Sequence, residues 1–424
     1  MNAQPHTDPA QKTPAPLCPI PRNGIKGSAG IILFGLLTIA SAMVGTAPYA
    51  MTVFTESEPF PAQAVSVGVL VLLLLYLWRV TRTAKGMLPI LIFSGVAIFY
   101  FTGSLVLTAS LCSLLFAIGE GSFLLAVLPS KHLAWVPIMP ILAYAAALAL
   151  TRDPFTSAAA LTPFPAMMAM AWGTRNSAEK EGGLTRVGVL CATSLALGLT
   201  LIAVCVLYLY RRLGTLAPDV LLAEMEAFRA ALIDEITSAE IPEGFDPEMV
   251  AELEKMLTYD SAKNTVNSVF NLIPAIFVVA VNLITAGAQV LQHATLRTFG
   301  MGDSVTDRVR AFRMSLISCI VFTVAYLVTF LENAEVSTLA GTVAQNVYII
   351  LLPGLALAGM LRIMNSLVRK GPRGLGCLFY LAIIIPCLLL VAPFVLAAFE
   401  VIGHLYTSIT SAIKPDDDDP FGKP

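Results

Sequence analysis

Charge is what this sequence has least of. Lys, Arg, Asp and Glu make up 13% of its 424 residues, about half the share found in soluble domains. The formal net charge is -2, and the 26 basic residues are scattered. That excludes the basic stripe of a nucleic-acid-binding protein. Histidine is scarce too: His6, His132, His293 and His404 lie far apart, so no H-E-x-x-H zinc pair exists. The seven cysteines occur singly (Cys18, Cys112, Cys191, Cys205, Cys319, Cys377 and Cys387) and form no C-x-x-C pair. Neither a disulfide framework nor a zinc site is indicated. There is no G-x-x-x-x-G-K-[ST] loop, so any ATP-driven role needs a separate ATPase. There is no G-x-S-x-G elbow. No metal and no cofactor are expected.

What the chain has is apolar length: 57% of its residues are hydrophobic. A soluble fold of this size could not keep so much apolar surface from water. A spanning helix needs about 20 mostly apolar residues. Runs of that kind lie at Ala29–Ala47, Gln63–Trp78, Met87–Ile118, Leu133–Leu150, Phe155–Trp172, Val187–Tyr210, Val266–Leu291, Met314–Leu331, Leu339–Met364 and Leu375–Phe399. The stretch Met87–Pro129 is too long for one upright helix, and Gly103 or the bend Gly119-Glu120-Gly121 is expected to divide it, with Glu120 ending a helix near the interface. The expected fold is an all-α polytopic transmembrane bundle of about nine to eleven spans. Residues 1–28 are read as a disordered cytoplasmic tail, 29–212 as one membrane half, 264–405 as the other, and 406–424 as an acidic tail. Basic clusters at Arg79 to Lys85, Arg175 to Arg186, Arg297 to Arg313 and Arg369 to Arg373 mark cytoplasmic loops, by the excess of Lys and Arg on that side. The expected location is a bacterial cytoplasmic membrane.

Between the two halves, residues 213–263 are polar and acidic. Leu221, Met225, Phe228, Leu232 and Ile236 recur every three or four residues and make an apolar helical stripe. Asp219 can cap its start. Asp246-Pro247 opens a second short helix bearing Met249, Leu253 and Met256. The pair reads as an amphipathic hairpin. It is either packed on its neighbours or a partner-docking element that uses Leu221, Met225, Phe228 and Leu232.

Polar side chains inside spans point to sites, because hydrocarbon offers them no partner. Asn271, Asn282, Gln289, Gln345 and Asn346 are the candidate solute-binding residues. Asn271 precedes Pro274 and Asn346 precedes Pro353. A proline frees a backbone carbonyl, which a nearby amide can satisfy. The same amides can equally serve as interhelical hydrogen bonds.

The hairpin runs into Phe270-Asn271-Leu272-Ile273-Pro274-Ala275, then Asn282, then the basic exit Leu296-Arg297-Thr298-Phe299-Gly300. Later come Asn346 to Pro353 and Ala358-Gly359-Met360. This order resembles the YybS-like family of uncharacterised bacterial membrane proteins, over Leu213 to Phe399. That family is remotely similar to the substrate-binding S-components of energy-coupling-factor vitamin transporters. The resemblance implies a non-enzymatic membrane protein that binds or moves a small solute, with a separate ATPase or membrane partner. A scaffold whose acidic hairpin docks a partner is the alternative. A remote enzymatic reading starts from Gly300-Met301-Gly302-Asp303 and Tyr259-Asp260, which match motifs of intramembrane aspartyl proteases. Asp303 lies in a basic loop and Asp260 follows the acidic hairpin, so neither aspartate has the apolar setting that a shared proton needs.

Overall fold

The computed structural model describes residues 103–128, 136–179, 186–239, 257–298, 314–332, 338–370 and 400–406, with isolated positions elsewhere. The run Ala29–Ala47 lies outside the described residues. So do all but a few positions of Gln63–Trp78 and Leu375–Phe399, both chain tails, Asp303, and the hairpin residues Met249, Leu253 and Met256. The described residues are almost all helical, with no strands among them. Nine α-helices are described in chain order: α1 Leu105–Val127, α2 Ile138–Thr151, α3 Pro154–Ala158, α4 Pro163–Glu179, α5 Arg186–Leu213, α6 Pro218–Thr237, α7 Tyr259–Thr298, α8 Leu316–Glu332 and α9 Thr338–Lys370. Among the described residues, four stretches are long and apolar enough to cross a membrane, in α1, α5, α7 and α9, as a multi-pass membrane protein requires.

The chain forms two compact units. One comprises Met1–Tyr208 with Val281–Val305, and the other Leu209–Ala280 with Thr306–Pro424. Their boundaries fall inside α5 and α7.

In the first unit, α1 begins where Gly103 takes a positive φ of 63°. Ser104 then caps the helix, its hydroxyl accepting from the Leu107 N–H at 3.2 Å. The helix runs unbroken through Gly119-Glu120-Gly121, correcting the expected bend. These glycines do not break the helix; they let it be approached closely. A Cβ on Gly119 would sit 2.9 Å from the Ala288 carbonyl oxygen of α7. One on Gly121 would overlap the Met167 side chain of α4. Small residues permit such approach between apolar helices. As a result α1 is 72% buried over its apolar window. Register fixes direction: Ser122 meets Met170, Arg175 meets Ala126, and Gly119 lies against Ala288 and Leu291. Within this unit α1, α4 and the end of α7 therefore run parallel.

The α5 helix has the opposite character, with 17% of its apolar window buried. Leu195, Leu199, Ile202 and Val206 are all exposed, and their 4-3-4 spacing puts them on one face. A stripe of that size in contact with water would be an aggregation surface. In hydrocarbon it carries no penalty.

In the second unit, α8 packs along α9. Cys319, Phe322 and Leu355 form the core of the contact. Phe322 and Tyr326 stack at 6.3 Å, and Tyr348 meets both edge-on. Gly214, at φ 69°, follows the last residue of α5, its N–H bonding to the Tyr210 carbonyl at 2.8 Å. Pro218 then opens α6, and Ala217 stands at the cap position. Asp219 is not the cap, as the sequence suggested; it lies in the first turn, where a carboxylate favours the positive end of the helix dipole. The α6 helix rests on the polar start of α7 through Ile233, Ala262 and Val266. At 40 residues, α7 is about 60 Å long. That is about twice the hydrocarbon thickness, and its first turns are polar.

Candidate functional site

The inner face of α7 carries Thr285, Gln292 and Thr295, all fully buried in the first unit. Spacings of seven and three residues keep them on one side of the helix. Each meets a different neighbour. Thr285 pairs with Ser194 of α5 at 2.7 Å. Gln292 meets the Thr174 hydroxyl of α4 at 3.2 Å. Thr295 donates to a Glu120 carboxylate oxygen of α1 at 2.6 Å.

Glu120 is 2% exposed. The sequence placed it near an interface, and the structure corrects that. Flanked by two glycines, it is enclosed because both neighbouring helices close over it. An ionisable residue inside apolar helices is costly to keep and marks a functional position by default.

Gln292 holds the unsatisfied group. Its side chain is completely buried, and among the described residues its Nε2 has no hydrogen-bond partner. The single hydroxyl hydrogen of Thr174 is already directed at the Met170 carbonyl, 2.8 Å away. Turning the amide over would satisfy that hydroxyl but move the carbonyl oxygen into the unpartnered position. In either orientation one polar atom of Gln292 awaits a partner. Leaving a buried amide group unpaired costs about 1–3 kcal/mol.

One end of this cluster is closed by Arg175. Its guanidinium donates to the Ala126 carbonyl at 3.1 Å and to the Leu128 carbonyl. These are the last carbonyls of α1, so a cation meets the negative end of that helix. The sequence put Arg175 in a cytoplasmic loop; the structure puts it within α4, half-buried.

No family model, curated protein or solved structure matches the chain. Among the described residues, no group of three His, Cys, Asp or Glu side chains is placed to hold a metal ion.

The five amides singled out from sequence divide between the units. Asn282 and Gln289 belong to the first, both half-buried. Asn271, Gln345 and Asn346 belong to the second. Asn346 and Asn271 are brought together at the proline break of α7. The Asn346 Oδ1 accepts from the Ala275 N–H at 3.0 Å, and its Nδ2 donates to the Asn271 carbonyl at 2.8 Å and to the Thr342 carbonyl at 2.8 Å. In a regular helix the Ala275 N–H would bond to the Asn271 carbonyl directly. A proline at 274 strains that turn, and the Asn346 amide lies across it, accepting from one backbone group and donating to the other. The Asn271 side chain itself is exposed.

Of the suggested docking residues, Leu221 and Leu232 are half-buried while Met225 and Phe228 are exposed. The true centre of the α6 contact is Ile233, which the apolar stripe read from sequence did not include. Phe228 touches only one edge of that contact, 6.0 Å from the Phe270 ring.

Sequence reasoning missed Gln292 and Thr295 because the apolar run was closed at Leu291. The available signal was the spacing of Thr285, Gln292 and Thr295. It repeats at helical intervals beyond the last strongly apolar residue.

Proposed function

We propose that the protein binds a small polar solute within its membrane domain, at Glu120, Gln292, Thr295 and Thr174, as a binding or transport component of a bacterial cytoplasmic membrane. The carrying observation is the enclosed Gln292 amide with one polar atom unpartnered, beside a buried carboxyl group. A solute offering one donor or acceptor to Gln292 and a second to the Glu120–Thr295 pair would complete the arrangement. The resemblance to YybS-like proteins, and through them to vitamin-binding S-components, supports the same reading. So does the lack of a phosphate-binding loop, which leaves any energy source to a partner ATPase. A scaffold role is supported by exposed Met225 and Phe228 on α6. Crosslinking from Phe228 to a defined protein would favour it.

The test is equilibrium dialysis of the full-length protein in nanodiscs against a defined mixture of B vitamins, amino acids and nucleosides, with retained solutes measured by mass spectrometry. At least one solute is expected at a stoichiometric level. Gln292→Leu keeps the side-chain volume and removes both amide atoms. Exchanging an unsatisfied polar group for an apolar one of similar shape is nearly neutral or stabilising. The variant should therefore unfold within about 1 kcal/mol of the wild type and retain at least about tenfold less solute, a change of about 1.4 kcal/mol in binding. Retention of nothing from the mixture, or equal retention by the variant, would overturn the proposal.

A further inference from the structure

A second site lies away from the membrane cluster, in the second unit, between α6 and the polar start of α7. The two helices enclose an open cleft of about 220 Å³. Glu226, Arg229 and Asp234 line it from α6, with Tyr259, Lys263 and Asn267 from α7. On α7 these three follow at intervals of four residues, so their side chains form one row. On α6 the spacing is three and five residues around buried Ile233, which lies at the base of the cleft.

Charged groups of both signs meet in this cleft. It holds two cations and two carboxylates, yet among the described residues none of the four forms an ion pair. Nearby, Arg212 at the end of α5 and Glu224 of α6 do pair, at 2.5 Å, so opposite charges here meet when geometry allows. Arg229 provides the second, independent observation. Its guanidinium carbon lies 4.6 Å above the centre of the Phe270 ring. That contact holds the guanidinium over the ring. Its Nε is buried and has no acceptor among the described residues. The remaining N–H groups of such a guanidinium are donors suited to an oxyanion. Lys263 adds a second positive charge, and the Tyr259 hydroxyl and Asn267 amide add neutral donors. Glu226 and Asp234 supply the opposite charge at the same opening.

From this geometry we infer that the cleft binds a small zwitterion, with an oxyanion held by Arg229 and Lys263 and an ammonium group held by Glu226 and Asp234. A simple anion would leave the two carboxylates opposing it, and a simple cation would be opposed by Arg229 and Lys263. The volume is below the roughly 300–1,000 Å³ of pockets for drug-sized ligands, which suits a molecule of amino-acid size. The same pairing of groups exists in a free amino acid or phosphoamine and in the headgroup of phosphatidylethanolamine. The site differs in place and ligand class from the one proposed for Gln292, and either can fail without the other.

The experiment is isothermal titration of the full-length protein in neutral detergent with O-phosphoethanolamine, γ-aminobutyrate, phosphocholine and inorganic phosphate. A parallel arm compares nanodiscs of phosphatidylethanolamine and phosphatidylcholine by thermal unfolding. Either of the two primary ammonium zwitterions should bind more tightly than inorganic phosphate and phosphocholine. If only the phosphatidylethanolamine nanodiscs stabilise the protein, relative to phosphatidylcholine, the source of the zwitterion is the lipid headgroup. Arg229→Gln should weaken binding at least tenfold. Should that variant misfold, Lys263→Gln supplies an independent loss on an exposed side chain. Glu226→Gln with Asp234→Asn should erase the preference over inorganic phosphate. The inference is overturned if no zwitterion binds and neither nanodisc differs. Equal binding of phosphate and zwitterion, or binding indifferent to all these substitutions, would also overturn it.

Discussion

Asn346→Leu is expected to destabilise the protein by about 2–4 kcal/mol. The substitution nearly preserves volume, so little of the loss comes from packing. It orphans two backbone groups at once, the Ala275 N–H and the Asn271 carbonyl. Each such group costs about 1–3 kcal/mol when nothing replaces its partner. In water the solvent would step in, but hydrocarbon has no donors or acceptors to offer. The decisive form of the test is a double-mutant cycle with Pro274→Ala. Alanine restores an N–H at 274 and lets the Ala275 N–H return to the Asn271 carbonyl within α7. In that background Asn346→Leu should cost at least about 1 kcal/mol less, a coupling of the size seen between directly interacting groups. Chemical or thermal unfolding in a fixed detergent measures all four corners. Additive losses would show that Asn346 does not bridge the proline break.

Gly119→Val is expected to lower stability by about 1–3 kcal/mol, the usual range for overfilling a packed interface, and to abolish solute retention. A Cβ at this position meets the backbone of Ala288 at 2.9 Å and Leu291 at 3.0 Å. Backbone cannot move aside without carrying α7 with it. Displacing α7 from α1 would break the 2.6 Å bond between Thr295 and Glu120. Gly121→Ala provides the contrast. Its Cβ also overlaps a neighbour, but that neighbour is the terminal methyl of Met167, which a flexible thioether can swing away. Alanine also improves helix propensity by up to about 1 kcal/mol. Gly121→Ala should therefore be close to neutral. Equal tolerance of both substitutions would mean that α1 and α7 are not in the close contact described.

The helical membrane class was legible in composition, because 57% hydrophobic residues have no aqueous solution of their surface problem. Individual spans were legible where apolar runs stand alone, as in α5. The sequence failed where glycine has two meanings. In Gly119-Glu120-Gly121 local propensity reads a bend, whereas tertiary packing uses both glycines for close approach and keeps the helix intact. Glu120 was placed at an interface for the same reason. The Asn346 clasp was half legible. Its proximity to a proline break was foreseeable in kind, but the partner proline, Pro274, is far from it in sequence, and such pairing is a property of folding. The stripe on α6 was read correctly at Leu232 and Ile236, which pack on the contact, but Phe228 and Met225 lie exposed and Ile233, outside the stripe, is buried. Periodicity locates an apolar arc on a helix and leaves open which part of that arc meets the neighbour.

The enclosed polar cluster is expensive only if lipid surrounds its helices, so the solvent around α5 decides its cost. A nitroxide placed at Leu199 in nanodisc-reconstituted protein should be relaxed strongly by oxygen and weakly by a water-soluble nickel chelate. A nitroxide at Glu226, in the polar cleft, should show the reverse. If the label at Leu199 meets the nickel chelate as readily as the one at Glu226 does, then α5 faces water and the membrane placement is wrong.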